Sequence, residues 1–280
     1  MKGGNVVQEI TKFVGRKLGP TSVVMVGVHG NEFPGIVAMR KVLETVIVES
    51  GTVYFIVANP AAVKARTRKV GFNLNRLFKE EGLLSHDQKQ SPEGYRVEYL
   101  KRYLDKAVVL LDVHSSETKG SPPFVICEPN GFEIAKHLPF DMVVSGFDQV
   151  SPGGTDEYMN RKGRIGICVE CGYLGDPTTI LLSQRAIEDF LVIMGHTLPS
   201  DKKPGRRTNQ RRIRLTSIYH NESSPFKLKK PWADFEKVRN GEIIGTDGEK
   251  PILAEEDFLI LFPDDCPTAG EEAFYIAQEI

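Results

Sequence analysis

Apolar positions along the chain follow two patterns. Short continuous runs rich in β-branched residues occur at 21–28, 52–58, 107–113 and 165–169. Runs of this kind predict strands buried on both faces. Elsewhere apolar residues recur at helical spacing. Ile36, Val37, Met39, Val42, Leu43, Val46 and Ile47 follow Pro34, a residue favoured in a first helical turn. Val97, Leu100 and Leu104 mark an amphipathic helix over 92–106. Ile180, Leu181, Ile187, Phe190, Leu191 and Met194 mark another over 178–195, with Pro177 just before it. Strand, helix and strand within about 40 residues form a βαβ unit. The pattern therefore predicts an α/β fold, with a mixed, mostly parallel sheet flanked by helices.

The segments between are less regular. Residues 59–78 show no clean period, carry Arg66, Arg68 and Arg76, and follow a strand, which is where α/β proteins place binding loops. Residues 79–91 read as an exposed loop and 151–164 as a Gly-rich polar loop. Shorter strands are expected at 124–127 and 142–144, around a helical turn at 131–137. After Leu198 the texture changes. Residues 199–214 are polar and basic and read as a linker. Short apolar runs then alternate with Asn240-Gly241 and Asp247-Gly248 turns, which predicts a small β domain. Two units follow, 1–198 and 199–280.

Composition narrows the function. Of 280 residues, 36 are Lys or Arg and 37 Asp or Glu, so no global charge attracts nucleic acid or a membrane. The stretch 202–214 holds seven Lys or Arg in thirteen residues but no interleaved aromatics, so a solvated linker is favoured over a nucleic-acid site. The start has no signal-like apolar region, and no later segment approaches the ~20 apolar residues of a membrane span. Four cysteines are too few for a disulfide framework and suit a reducing cytoplasm. Cys168 and Cys171 flank Glu170 but point to opposite faces of a strand, which favours core packing over a redox or zinc motif.

Chemistry gathers at strand ends. His29 and Glu32 follow the first buried strand, His114 the third, and Glu170 the fourth. The HxxE spacing does not choose ligands, because His114 and Glu117 repeat it. Convergence does more, since open α/β sheets bind ligands beyond their strand carboxyl ends. His29, His114 and Glu170 with a water would make an open tetrahedral zinc site, and a further carboxylate could take a proton from that water. Asp112, two residues before His114, could orient its imidazole; a surface carboxylate is an equal reading.

The blocks GVHGNE, NPAAVKARTRKVGFNLNRLF, LLDVHSS and VECG, in this order, resemble the aspartoacylase and succinylglutamate desuccinylase family, relatives of the zinc carboxypeptidases. The resemblance spans roughly residues 21–190, and 59–78 is its most specific part. It implies one zinc per chain on His29, Glu32 and His114, with Glu170 as general base and then acid. Arg68 would polarise the scissile carbonyl, and Asn75 and Arg76 would hold the substrate carboxylate. Tyr275 is the nearest match to a family tyrosine, and Arg161 or Arg164, with Arg164 preferred, would read an acidic side chain. Glu117 departs from the small polar residue expected there and would disfavour such a side chain. The implied protein is a cytoplasmic zinc hydrolase of N-acyl amino acids: a zinc-carboxypeptidase-like catalytic domain, 1–198, with a β domain, 199–280. Its substrate is a small molecule, without nucleic-acid or membrane partners, and a homo-oligomer stays open. The rivals are a zinc carboxypeptidase and a non-catalytic binding module on the same fold.

Overall fold

The continuous apolar runs resolve into two alternating faces of one sheet. In the computed structural model, which describes residues 9–199 and 204–280, the first half supplies β1 (Ile10–Val14), β2 (Lys17–Val26), β3 (Ser50–Val57), β4 (Val109–Ser116), β5 (Phe124–Cys127), β6 (Met142–Ser145) and β7 (Ile165–Tyr173). Val24 and Val26 of β2 and Val53, Phe55 and Val57 of β3 enter one core, under the helices Phe33–Thr45 and Pro177–Ile193. Val23, Met25, Tyr54 and Ile56 enter the other, under the helix Pro92–Leu104, whose Val97, Leu100 and Leu104 are buried as the spacing predicts. A strand covered on both sides needs apolar residues at every position, so no alternation survives in the sequence. β3, β2, β4 and β7 pair in parallel, and β2 and β3 are joined through the helix Phe33–Thr45 as the βαβ reading requires.

The sheet does not stop at Leu198. The second half supplies β8 (Arg211–His220), β9 (Phe226–Leu228), β10 (Lys237–Val238), β11 (Ile243–Asp247), β12 (Lys250–Leu253), β13 (Phe258–Leu261) and β14 (Glu272–Glu279). The main sheet is eleven-stranded, in the order β1-β3-β2-β4-β7-β5-β6-β8-β14-β13-β10, and β12-β11-β9 form a second sheet. β8 joins β6 in parallel, with Met142 opposite Arg211. A separate core of Phe226, Trp232, Ile244, Phe258 and Phe274 fills the C-terminal β region.

Four segments differ from the sequence reading. Residues 151–164 are not a loop throughout: Thr155–Arg161 is helical, with Tyr158 and Met159 buried in the core and Asp156 and Glu157 in the first turn, where the helix dipole favours acids. In 59–78, Asn59 caps a short helix, Pro60–Ala65, by accepting from Ala62 N, and in 79–91 a Ser85/Gln88 capping box starts the helix His86–Gln90. Such short helices hold too few turns for a period to show. Of the expected linker, residues 200–203 lie outside the described residues, and the later part is tied down. Gln210 donates to Ala135 O and Phe140 O, Arg207 donates to Leu138 O, and Arg211 begins β8. Cys168 and Cys171 are free, buried and in different cores, as expected. Among the described residues no helix is long and apolar enough to cross a membrane.

Phe190 is fully buried between the helices and the sheet. Phe190→Ala is expected to lower the unfolding free energy by about 3–5 kcal/mol, read from denaturant titration. A loss below about 1 kcal/mol would mean that this layer is not packed as described.

Candidate metal centre

The candidate site forms where the parallel strands end. Beyond β2, Gly27 turns the chain at a φ of 65°, and His29 and Glu32 follow before the helix Phe33–Thr45. Gly30 lies flush against the next segment. A Cβ there would sit 2.0 Å from the Ala62 carbonyl carbon, so a side chain would push the histidine loop off the helix Pro60–Ala65. Glu32 directly precedes the helix, whose positive end favours a carboxylate. On β4, residues of one parity share a face: Leu110 enters the core, and Asp112 and His114 continue it toward the rim. His114 and Glu170 lie within β4 and β7 rather than beyond them, as direct partners in register.

Glu32 links both imidazoles. His29 Nδ1 is 2.6 Å from its Oε1, and His114 Nδ1 is 3.1 Å from its Oε2. One ligand atom from each of the three buried residues falls within 4.8 Å of the others. The outer nitrogens meet oxygens as well: His29 Nε2 is 3.2 Å from Asn73 Oδ1, and His114 Nε2 is 3.1 Å from Asp112 Oδ2. A proton on the outer nitrogen of each ring would leave its Nδ1 lone pair facing inward. Ser115 N donates to Glu32 Oε2 at 3.1 Å, and the Thr155 hydroxyl donates to Asp112 Oδ2. Two imidazole nitrogens and a carboxylate oxygen directed at one point fit a zinc donor set.

The charges suit this role. Burial, and then the Arg68 charge, lower His29 to about 4, so its ring is neutral at pH 7. Burial works against ionised Glu32, but the two imidazoles outweigh it and hold the carboxyl far below its usual range. Burial also lowers His114, yet Cys168, Asp112 and Glu32 together lift it well above 6.5. A metal held there would displace a proton. Burial, then the charge of Glu32, push Glu170 up to about 8, against the pull of His114 and Arg68. Its Oε2 is buried without a hydrogen-bond partner among the described residues.

Other expected site residues divide into two groups. Arg68 reaches the cluster, with Nη1 3.5 Å from Glu32 Oε1 and 3.6 Å from Glu117 Oε1. Asn75, Arg76 and Tyr275 come together: Arg76 Nη1 donates to Asn75 O at 2.8 Å, and Nη2 donates to Tyr275 Oη at 2.9 Å. Arg161 and Arg164 are not brought to the cluster. Arg161 donates to Glu157 and to Phe78 O, and Arg164 to Leu104 O and Asp105. Each side chain is held by the end of a neighbouring element, a pairing that loop composition does not reveal.

Two neighbours escape the sequence reading. Asn73 backs His29, a role its position just before Leu74, Asn75 and Arg76 only hints at. Glu272 grips Arg76, its Oε1 and Oε2 each 2.6 Å from guanidinium nitrogens. It also accepts from Tyr275 Oη at 2.9 Å. Residues three apart on a regular strand face opposite ways, but a register shift between Glu272 and Phe274 brings this pair together.

Comparison with known proteins supplies the family. Residues 18–194 match the family described as the succinylglutamate desuccinylase/aspartoacylase catalytic domain. A succinylglutamate desuccinylase of Idiomarina loihiensis is 35% identical over 279 residues, covering 90% of this chain and 80% of the relative. An N-alpha-acetyl-L-2,4-diaminobutyric acid deacetylase of Halomonas elongata is 27% identical over 204 residues, 65% of this chain but only 57% of that protein. Among solved structures, the succinylglutamate desuccinylase of Vibrio cholerae superposes with a TM-score of 0.78 at 18% identity, covering 97% of this chain and 85% of that one. The product-bound ectoine utilization protein EutE (DoeB) of Ruegeria pomeroyi gives 0.71 at 18% identity, covering 96% and 88%. The family matched and the relatives' names are those of N-acyl amino acid deacylases. The chain belongs to the succinylglutamate desuccinylase/aspartoacylase family.

The Arg76–Glu272 pair carries a pH signature. Burial would raise Glu272, but Arg76 outweighs it and lowers the carboxyl from 4.5 to about 2. A lowered folded-state value means stability that is present above pH 4.5 and lost as pH falls toward about 2. The stability gap between wild type and Glu272→Gln is expected to be widest above pH 4.5 and to shrink below it. A gap that stays constant on acidification would exclude the pair as described.

Proposed function

We propose that this chain is a zinc-dependent hydrolase that removes the acyl group from an N-acyl amino acid. The observation that carries the reading is the buried convergence of His29, Glu32 and His114, with Glu170 paired in register to His114. One zinc per chain would be held by these three residues and would supply Lewis acidity, lowering the pKa of water towards about 7. Glu170 is the proton carrier. It takes a proton as water attacks the amide carbonyl and returns it to the leaving amine. Burial favours the protonated form that returns the proton, and a dication held beside it would favour the ionised form that takes it. Arg68 places positive charge beside the cluster, where the carbonyl oxygen becomes an oxyanion. Asn75, Arg76 and Tyr275 form the substrate end. The names of the family relatives, a desuccinylase and an acetyl-diaminobutyrate deacetylase, support hydrolysis of a small N-acyl amino acid. The division into a catalytic unit, 1–198, and a β unit, 199–280, is part of this proposal, as is a cytoplasmic location suited to four free cysteines.

Glu170→Ala is expected to keep its zinc and to lose about 10²–10⁴-fold in kcat, measured on a panel of N-acetyl-, N-succinyl- and N-formyl-amino acids. Turnover near the wild-type rate would remove Glu170 from the mechanism. His114→Ala is expected to lose tight zinc uptake, read by metal analysis and calorimetric titration of the purified protein. Uptake as tight as in the wild type would sink the ligand assignment. Faster cleavage of blocked dipeptides than of acyl amino acids would point to a carboxypeptidase instead.

A further inference from the structure

The outer nitrogens of His29 and His114 are backed from two different segments, and those segments are joined. His29 Nε2 lies 3.2 Å from Asn73 Oδ1, which also accepts from Asn75 N at 3.0 Å. Asn75 Oδ1 in turn accepts from Thr155 N at 3.1 Å. The Thr155 hydroxyl donates to Asp112 Oδ2, which lies 3.1 Å from His114 Nε2. Glu32 closes the circuit between the inner nitrogens. Thr155 is almost fully buried and joins the two sides with two separate donors, its backbone N–H and its hydroxyl.

Each donor fixes a different partner. A backbone N–H can only donate, so the Asn75 atom that faces Thr155 is the amide oxygen, and the NH2 is turned the other way. The hydroxyl acts on the other side. Asp112 is fully buried and its Oδ1 has no partner among the described residues, so Thr155 and His114 hold it through Oδ2. Without the hydroxyl the carboxylate would lose a donor and be freer to turn away from His114. Thr155 reaches both groups because its helix lies directly on the sheet. A Cβ at Gly166 of β7 would sit 2.2 Å from Asp156 O, so glycine there lets the first turn of Thr155–Arg161 come down beside β4.

We propose that Thr155 is a positioning residue for both ends of the site: its hydroxyl holds Asp112 against His114, and its N–H turns the Asn75 amide so that the NH2 meets the substrate carboxylate. Thr155 acts through these two neighbours and takes no part in bond breaking. The substrate side of the proposal rests on the hydrolase reading above. The link to His114 is read by metal binding and can be judged separately.

The test compares Thr155→Val, Thr155→Ser and Thr155→Pro in the full chain. Valine keeps the N–H and removes the hydroxyl. It is expected to weaken zinc binding about tenfold in calorimetric titration of the metal-free protein. At saturating zinc its KM should stay at the wild-type value, on the fastest substrate of the acyl-amino-acid panel above. Serine returns the hydroxyl and is expected to return wild-type zinc affinity. Proline suits a first helical position, and Gly154 before it is already extended, at φ −75° and ψ 166°. It removes both donors, so it is expected to weaken zinc as valine does and also to raise KM several-fold. Zinc binding by Thr155→Val as tight as in the wild type would overturn the proposal, as would a Thr155→Pro KM equal to that of Thr155→Val. A Thr155→Val variant that loses zinc affinity and KM together, without recovery in serine, would show a packing defect and overturn it too. These outcomes leave the hydrolase reading intact. If Thr155→Pro does not fold, Asn75→Asp takes its place: it keeps an oxygen for the Thr155 N–H and replaces the outward NH2 by oxygen. Its KM must then rise without weaker zinc binding, and an unchanged KM would overturn the proposal. If no acyl compound were cleaved, the hydrolase reading would fail, and zinc titration of Thr155→Val would still decide the link to His114.

Discussion

Everything at this site is arranged around the charge of Glu32. Its two oxygens face the two imidazoles, a backbone N–H from β4 meets one oxygen, and Arg68 approaches the other. A carboxylate this deeply buried is costly unless it is paired. Here the pairing comes from three separate segments, so the charge holds the loop after β2, the end of β4 and the arginine loop in one arrangement. A dication at the same point would meet two imidazoles and one carboxylate already gathered. The fold contributes by ending its parallel strands at one rim, with apolar cores beneath them.

The C-terminal strands complete this rim rather than hanging beside it. β14 reaches the site because β8 extends the main sheet from β6, and β14 pairs with β8. Tyr275 and Glu272 thereby arrive at Arg76 from almost 200 residues away in sequence. Ser116, at the end of β4, bonds Asp234 from the same region. The parallel strands and the β region therefore share one polar seam.

Much of the first half was legible from the chain alone. Continuous β-branched runs announced β2, β3, β4 and β7, and their order with the intervening helices announced parallel pairing. Cys168 and Cys171 were assignable to opposite faces from strand parity. The helix Thr155–Arg161 was not legible, because its buried face holds Asp156 and Glu157 beside Tyr158 and Met159, and no apolar stripe marks it. β8 was hidden for a related reason: Arg211, Arg212 and Arg214 gave its start the look of a solvated linker, although Arg212 lies over the Phe132 ring with its guanidinium carbon 3.9 Å from the ring centre. Charged residues that cover apolar groups with their stems carry no hydropathy signal.

The sequence by itself determined the kinds of groups available and the strand ends that carry them. His29, Glu32, His114 and Glu170 follow from local order, since strand periodicity and turn residues act over a few positions. Only the tertiary structure decided which groups meet. His114 and Glu117 share the spacing of His29 and Glu32, yet Glu32 joins both histidines while Glu117 stays at the rim beside Asn31. The pairing of Arg76 with Glu272 depends on sheet order and a shift in register, which are set by packing between distant segments. Local pattern fixes what a residue can do; the sheet fixes the partner that it does it with.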